Sequence, residues 1–352
     1  MDDVTVLITG AGAPGTKGTL YSLEKNYDKR KIKTIGTDIR KNVIGKHLCK
    51  KFYEIPPPNN NNFLPILKQI CKTEKIDVIL PQVTAELEAL AAHASEFEKA
   101  GTHIALSNHE TIKTANNKHK LMQLTQEIGI PTPKFYLAKS LNDLEKNAKT
   151  LGYPEKSVVI KPPISHGMIG FRILDAQADK RKAFLTEKPD GTHIKLEELE
   201  FLEDTFPEML VMEYLSGDEY SIDVLSKKAK TLVAVPRRRD TIRTGITFEG
   251  TVEEDQTLID LSRRLIERTG LEYVNGFQFK RDEKGVPKII ECNPRIQGTM
   301  ALSTLAGANI IYSAIKLALG EELPEFNINW GTRLLRYWGG IGVFNEQLVD
   351  EL

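Results

Sequence analysis

With 352 residues, 40% of them hydrophobic and 27% charged, the chain can bury two or three domain cores; its 48 basic and 48 acidic residues balance to a formal net charge of zero. That balance argues against a nucleic-acid coat or a membrane surface as partner, and no apolar run approaches the ~18 residues of a membrane span. Cys49, Cys71 and Cys292 are odd in number, widely spaced and without metal-site spacing, which fits a reducing compartment better than a disulfide framework. The opening Met1-Asp2-Asp3 lacks the basic start and apolar core of a signal peptide, so the expected location is cytoplasmic.

Val4 to Thr9 is a β-rich apolar run ending in Gly10-Ala11-Gly12-Ala13-Pro14-Gly15, and a helix through Ser22 should follow. Lys33 to Asp38 reads as a second strand and Asp77 to Pro81 as a third, with a helix around Leu64 to Lys72 between them and another from Thr84 to Gly101. Strand and helix alternate, which predicts a parallel sheet. The Pro56 to Asn62 tract reads as a surface connector. Beyond Asn108 the character changes. A helix from Asn116 to Ile128 stops at Gly129, and Ile130-Pro131-Thr132-Pro133 forces the chain to extend. Strands at Ser157 to Lys161 and Phe171 to Leu174, a helical stretch to about Phe206, and strands at Leu210 to Leu215 and Tyr220 to Leu225 predict an α+β block with antiparallel pairs. A helix from Asp255 to Thr269 leads to a hairpin, and an apolar helix spans Ile310 to Leu319.

That hairpin carries the most chemistry. If its second strand persists through Arg295, alternation points Glu291, Asn293 and Arg295 one way. A two-residue loop at Lys284-Gly285 would seat Gln278 directly opposite Glu291, although a bulge would shift that register. Oxygen ligands of this kind suit Mg²⁺, which takes one or two carboxylates and completes its shell with substrate phosphates and water. The competing reading of the same residues is a solvated hairpin face with a surface ion pair.

The glycine loop admits two readings. Gly10-x-Gly12-x-x-Gly15 with Asp38 ~20 residues beyond matches a dinucleotide fingerprint, which would make the chain a dehydrogenase. Such glycines also serve any tight strand-to-helix crossover, and the free amides of the helix start suit an anionic substrate. The anionic substrate is the preferred reading, because NAD leaves the hairpin unexplained.

Dispersed motifs over most of the chain resemble the ATP-grasp superfamily, and within it one ATP-binding half of the carbamoyl-phosphate synthase large subunit. Asn116-Asn117-Lys118 followed by Gly129-Ile130-Pro131-Thr132-Pro133 is similar to that family's Asp-Lys helix and Gly-Ile-Pro-x-Pro break, with Asn117 where the family has Asp. Val158 to Pro162 looks like the strand whose lysine reaches the ATP phosphates, so the resemblance makes Lys118 and Lys161 phosphate contacts. Ser165-His166-Gly167-Met168-Ile169-Gly170 resembles the mobile lid, with His166, Gly167 and Gly170 at the phosphates. Val211 to Leu215 is similar to the adenine hinge: backbone at Glu213 and Leu215 faces the adenine edge, Tyr214 lies between them, and Glu219 accepts from the ribose. The resemblance gives Gln278, Glu291 and Asn293 to Mg²⁺, with Mn²⁺ as the alternative ion, and Arg295 to the reacting phosphoryl group. It puts Arg243, in the basic loop Arg237 to Gly245, over the γ-phosphate and acyl site.

The resemblance implies a Rossmann-like pre-ATP-grasp domain over 1–107, a two-lobed α+β ATP-grasp domain over 108–325 with its small lobe at about 130–212, and a C-terminal tail over 326–352. It implies a cytoplasmic carboxylate–amine ligase that uses ATP and Mg²⁺, acts on small molecules without nucleic acid or membrane, and forms a homodimer. The alternatives are a single carbamoyl-phosphate-synthase-like half that phosphorylates bicarbonate or carbamate with a partner, and a non-catalytic ATP sensor. Further substrate contacts are expected at the glycine loop, Glu86, Arg333 and Arg336.

Overall fold

A computed structural model describes residues 3–165, 167–186 and 191–352. Two compact units emerge, the first comprising 1–116, 219–278 and 292–352, the second 117–218 and 279–291.

In the first unit β1 (Val4–Ile8), β2 (Ile32–Asp38), β3 (Lys51–Glu54), β4 (Val78–Leu80) and β5 (His103–Ile104) form a parallel sheet in the order β3-β2-β1-β4-β5. Its central strands are buried on both faces, which is why they read as unbroken apolar runs. Leu7, Ile35 and Ile79 pack on the helix Phe63–Glu74, through Leu67 and Ile70. Val4, Val6 and Ile8 share the opposite core with the helix Ile310–Ala318. The helix α1 (Thr16–Glu24) follows the glycine loop.

The second unit holds a five-stranded sheet of β6 (Phe135–Ala138), β7 (Val158–Lys161), β8 (Arg172–Leu174), β9 (His193–Ile194) and β10 (Met209–Glu213), in the order β6-β10-β7-β8-β9. Its β6, β7, β8 and β10 pair antiparallel, and its core is Leu144, Val158, Ile160, Leu174, Leu199 and Val211 among others.

The third sheet contains β11 (Glu219–Lys227), β12 (Lys230–Arg243), β13 (Ile246–Val252), β14 (Tyr273–Arg281), β15 (Pro287–Asn293) and β16 (Arg333–Leu335), in the order β15-β14-β11-β12-β13-β16. The helix Gln256–Thr269 is capped at its start by the Asp255 side chain and stopped by Gly270, as its sequence predicts. A hairpin of β17 (Ile341–Phe344) and β18 (Gln347–Glu351) completes the described strands.

Three expectations need correction. The basic tract from Arg237 is not a loop: residues through Arg243 continue β12, a 14-residue strand that turns at Thr244 and Gly245 into β13. The hairpin turn has three residues, not two, because the Asp282 N–H donates to the Val286 carbonyl at 3.0 Å while Gly285 adopts φ +77°, a conformation that glycine supplies without strain. That offsets pairing at the turn by one residue and removes the two-residue loop as a reason to seat Gln278 opposite Glu291. The helix expected from Thr84 to Gly101 is broken: a short 3₁₀ turn over Thr84–Glu86 precedes helices Leu87–Ala92 and Ala94–Lys99, which meet at His93.

Candidate active site

In the second unit, the Asn117 side chain accepts from the Lys120 N–H at 3.1 Å and caps the helix Lys118–Glu127. Asparagine and aspartate are comparable caps, so the departure from the family residue keeps the helix start. Lys118 is thereby fixed as the first helical residue, and its N–H donates to the Pro163 carbonyl at 2.8 Å. Its Nζ lies 3.1 Å from the Ser165 carbonyl, 3.3 Å from Ser165 Oγ and 3.4 Å from Glu291 Oε1. Lys161 ends β7 and donates from Nζ to the Ile290 carbonyl at 2.9 Å. Relative exposures of 5% for Lys118 and 7% for Lys161 place both side chains below the surface. Lysines are rarely buried this deeply, because losing hydration is costly unless an anion compensates. Two ammoniums thus meet β15 at successive residues.

The end of β10 lies in the same unit. Met212 and Leu215 are buried, while the Glu213 carboxylate is held by Lys288, which also approaches Asp282 at 3.5 Å. Tyr214 is half-exposed beneath the Lys280 ammonium, 5.5 Å from its ring centroid. The Gly217 N–H donates to the Arg281 carbonyl and the Arg281 N–H to the Asp218 carbonyl, both at 2.9 Å, so the segment after β10 is tied to the end of β14. Gly167, Met168 and Gly170 all have positive φ, and Ile164 and Ile169 project into solvent. His166 lies outside the described residues.

In the first unit the four arginines of β12 separate by partner. Arg237 is fully buried, donating to Asp223 Oδ1 at 2.6 Å, Thr299 Oγ1 at 3.0 Å and Gln297 Oε1 at 3.3 Å. Ser303 completes the network by donating to Asp223 Oδ2 at 2.6 Å. Arg238 pairs with Asp240 at 2.6 Å and Glu253 at 2.8 Å. Arg239 pairs with Glu219, the expected ribose acceptor, and donates to Thr247 Oγ1 at 2.9 Å. Arg243 has no acidic partner among the described residues; its guanidinium lies 4.6 Å from the Phe248 ring centroid.

Strand β15 ends at Asn293, so Arg295 lies beyond it, yet its Nη2 donates back to Asn293 Oδ1 at 3.0 Å and its Nε to Thr84 Oγ1 at 3.0 Å. Gln278, on β14, takes part in none of these contacts. Gly15 packs on the Gly298 backbone so closely that a Cβ would collide, which brings the glycine loop to the segment after Arg295. Asp38, the acid of the dinucleotide fingerprint, is buried and accepts from the Gly12 N–H at 2.8 Å and the Arg40 N–H at 2.9 Å, so the loop itself uses it. Glu86 is 2% exposed, accepts from the Thr9 hydroxyl and from the Val83 N–H at 3.2 Å, and burial pushes its carboxyl up to about 7. It ties two loops together rather than presenting a carboxylate to solvent.

The metal set expected from the sequence contains one carboxylate, Glu291, and two side-chain amides. No group of three or more His, Cys, Asp or Glu suited to a metal occurs among the described residues. An all-protein cage is therefore absent there, and the donor set suits an ion that keeps water and phosphate oxygens.

Residues 205–334 match the family model described as ATP-grasp in the biosynthetic pathway with Ter operon, and residues 6–105 match the PylC-like N-terminal domain. The first match falls on the third sheet and the segments around it, the second on the parallel sheet. It is similar to the Bacillus subtilis arginine-specific carbamoyl phosphate synthase large chain, with 24% identity over 269 residues, 73% of this chain and 24% of that one. The N-terminal section of the Aquifex aeolicus large chain is 26% identical over 281 residues, covering 74% of this chain and 47% of that one. The chain thus spans about a quarter of the length of the full-length large chains it matches. The fold is similar to an ADP complex of N5-carboxyaminoimidazole ribonucleotide synthetase, with TM-score 0.69, 16% identity, and coverage of 93% and 80% of the two chains. It is also similar to the biotin carboxylase domain dimer of Hydrogenobacter thermophilus 2-oxoglutarate carboxylase, with TM-score 0.69, 17% identity, and coverage of 93% and 72%.

Proposed function

We propose that the protein is an ATP- and Mg²⁺-dependent ligase that activates a carboxylate as an acyl phosphate and joins it to an amine, releasing ADP and phosphate. The observation supporting this most is the convergence of buried Lys118 and Lys161 on Ile290 and Glu291. Cationic charge gathered beside a metal-type carboxylate is what transfer from a polyphosphate requires.

A carboxylate is a poor electrophile because its leaving group would be oxide. Once its oxygen has taken the γ-phosphoryl group, the carbonyl carbon accepts the amine and phosphate departs. Lys118 and Lys161 hold and neutralise the phosphates, with the 167–170 segment covering them. Backbone at Glu213 and Leu215 binds the adenine edge, and Glu219 accepts from the ribose. Gln278, Glu291 and Asn293 hold Mg²⁺ or Mn²⁺, which supplies neutralisation of the transferring group. Arg243 and Arg295 offset the repulsion between substrate carboxylate and nucleotide as they approach. The reading keeps a pre-ATP-grasp domain at 1–107, an ATP-grasp domain at 108–325 and a tail at 326–352, in a cytoplasmic homodimer.

A second reading, phosphorylation of bicarbonate or carbamate together with a partner chain, draws on the likeness to carbamoyl phosphate synthases. The test is ADP release from Mg²⁺-ATP with amino acids, small carboxylates and bicarbonate, followed by mass spectrometry. Substrate-stimulated ADP with a condensed product supports the ligase. ATP binding without ADP release under any substrate set would contradict it.

A further inference from the structure

Resting on the ligase reading, a second guanidinium completes the site that Arg243 begins. Strand β16 pairs with β13, and the Arg336 N–H just beyond it donates to the Phe248 carbonyl at 2.9 Å. Phe248 is buried, with the Arg243 guanidinium 4.6 Å from its ring centroid and that of Arg336 at 5.9 Å. Arg336 Nη2 also donates to the Pro14 carbonyl at 3.1 Å, which fixes it at the glycine loop and the start of α1.

Among the described residues neither guanidinium has a carboxylate within ion-pair distance, whereas Arg237, Arg238 and Arg239 all do. Two like charges on one ring repel, and partial burial lowers the pKa of Arg336, which marks a desolvated cation. The start of α1 adds to the positive field: its first turn holds no acid, and the buried Thr16 Oγ1 has no hydrogen-bond partner. Stacking on an aromatic ring orients a planar guanidinium while leaving N–H groups at its edge for an anion. Trp338, 76% exposed, lies with its ring 4.8 Å from that of Phe248 and offers a flat apolar wall beside the two cations.

We propose that Arg243 and Arg336 together bind the carboxylate of an organic acid substrate whose carbon body lies against Trp338. Bicarbonate, having no such body, gains nothing from this wall.

The chain has two tryptophans, Trp330 and Trp338, so emission reports on the site and Trp338→Phe identifies the signal. Succinate, benzoate, glycine, bicarbonate and inorganic phosphate are titrated singly in the presence of Mg²⁺ and a non-hydrolysable ATP analogue, whose own affinity is measured by calorimetry. At least one organic acid should change the Trp338 emission. Arg336→Gln should weaken that acid about ten- to a hundredfold, the scale of a lost charge-assisted pair, with nucleotide affinity and thermal midpoint retained. Arg336→Lys, which keeps the charge and loses the fork, should lie between. Organic-acid binding at wild-type strength in Arg336→Gln would overturn the inference. So would phosphate or bicarbonate binding as tightly as every organic acid, or nucleotide binding with no carboxylate bound. Absence of nucleotide binding would instead overturn the ligase reading beneath it.

Discussion

Arg237 and Lys118 are both buried cations, but their surroundings differ in kind. Arg237 has Asp223, Gln297 and Thr299 at hydrogen-bond distance, and Asp223 is itself satisfied by Ser303. Lys118 has Glu291 at 3.4 Å, longer than the ~2.8 Å of a charge-assisted bond, and otherwise Ser165. A guanidinium whose two terminal nitrogens both bond inside the protein, with only Nε lacking a partner, holds structure in place. On the ligase reading, an ammonium held beside its carboxylate without closing on it is placed for a further ligand, and so is Arg243 on the outer part of β12, which has no acidic partner among the described residues. The difference predicts which substitutions cost stability and which cost activity.

The largest effect is expected on the activity side. Glu291→Ala should lower Mg²⁺-dependent ADP release by about a thousandfold or more while costing less stability in urea than loss of Arg237, since Lys118 keeps its two Ser165 contacts when the half-buried Glu291 is removed. Wild-type turnover in that variant would sink the metal assignment. On the other side, Arg237→Met leaves Asp223 buried without its partner, and urea unfolding should show a loss of about 3–5 kcal/mol. An unchanged midpoint would mean that the network adds little and that the contrast with Lys118 has no energetic content.

Glu86 sharpens the same contrast through pH. Its folded pKa is raised to about 7, above the ordinary carboxylate value, so the unfolded chain gives up this proton first. Protonation therefore favours the native state, and this group's contribution falls as pH climbs from the ordinary carboxylate range to about 7. Glu86→Gln, which retains an acceptor for the Val83 N–H, should match wild type near the acid end and exceed it by up to about 3 kcal/mol above neutrality. Parallel pH profiles for the two proteins would refute a buried, neutral-leaning Glu86. The smallest effect expected is for Lys161→Ala, about a tenfold loss of ATP affinity by calorimetry with a near-native fold. Unchanged affinity would count against its phosphate role.

Local signals made much of this legible in the sequence. The apolar run of β1, its glycine loop, the Asp255 cap and Gly270 stop of the helix Gln256–Thr269, and the apolar helix Ile310–Ala318 each follow from a few neighbouring residues. The strand β3 escaped notice because two of its four residues are exposed and it lacks an apolar run. The full length of β12 escaped for a different reason. A tract of arginines looks solvated until Asp223, fourteen positions earlier, is known to lie within the sheet beside Arg237. The three-residue turn was hidden because Asp282 to Gly285 suits either loop length, and only the Asp282 to Val286 pairing decides between them. The sequence marks Arg336 as a candidate substrate contact, but its relation to Arg243 depends on the Phe248 ring, which only the pairing of β16 with β13 brings to it.

The central claim is that a substrate carboxylate becomes an acyl phosphate, and heavy-oxygen labelling tests it most directly. Turnover with Mg²⁺-ATP, the amine and a carboxylate labelled at both oxygens should transfer one labelled oxygen to the released inorganic phosphate, because the amine expels the phosphate together with the oxygen that attacked the γ-phosphorus. Unlabelled phosphate accompanying a condensed product would contradict the account.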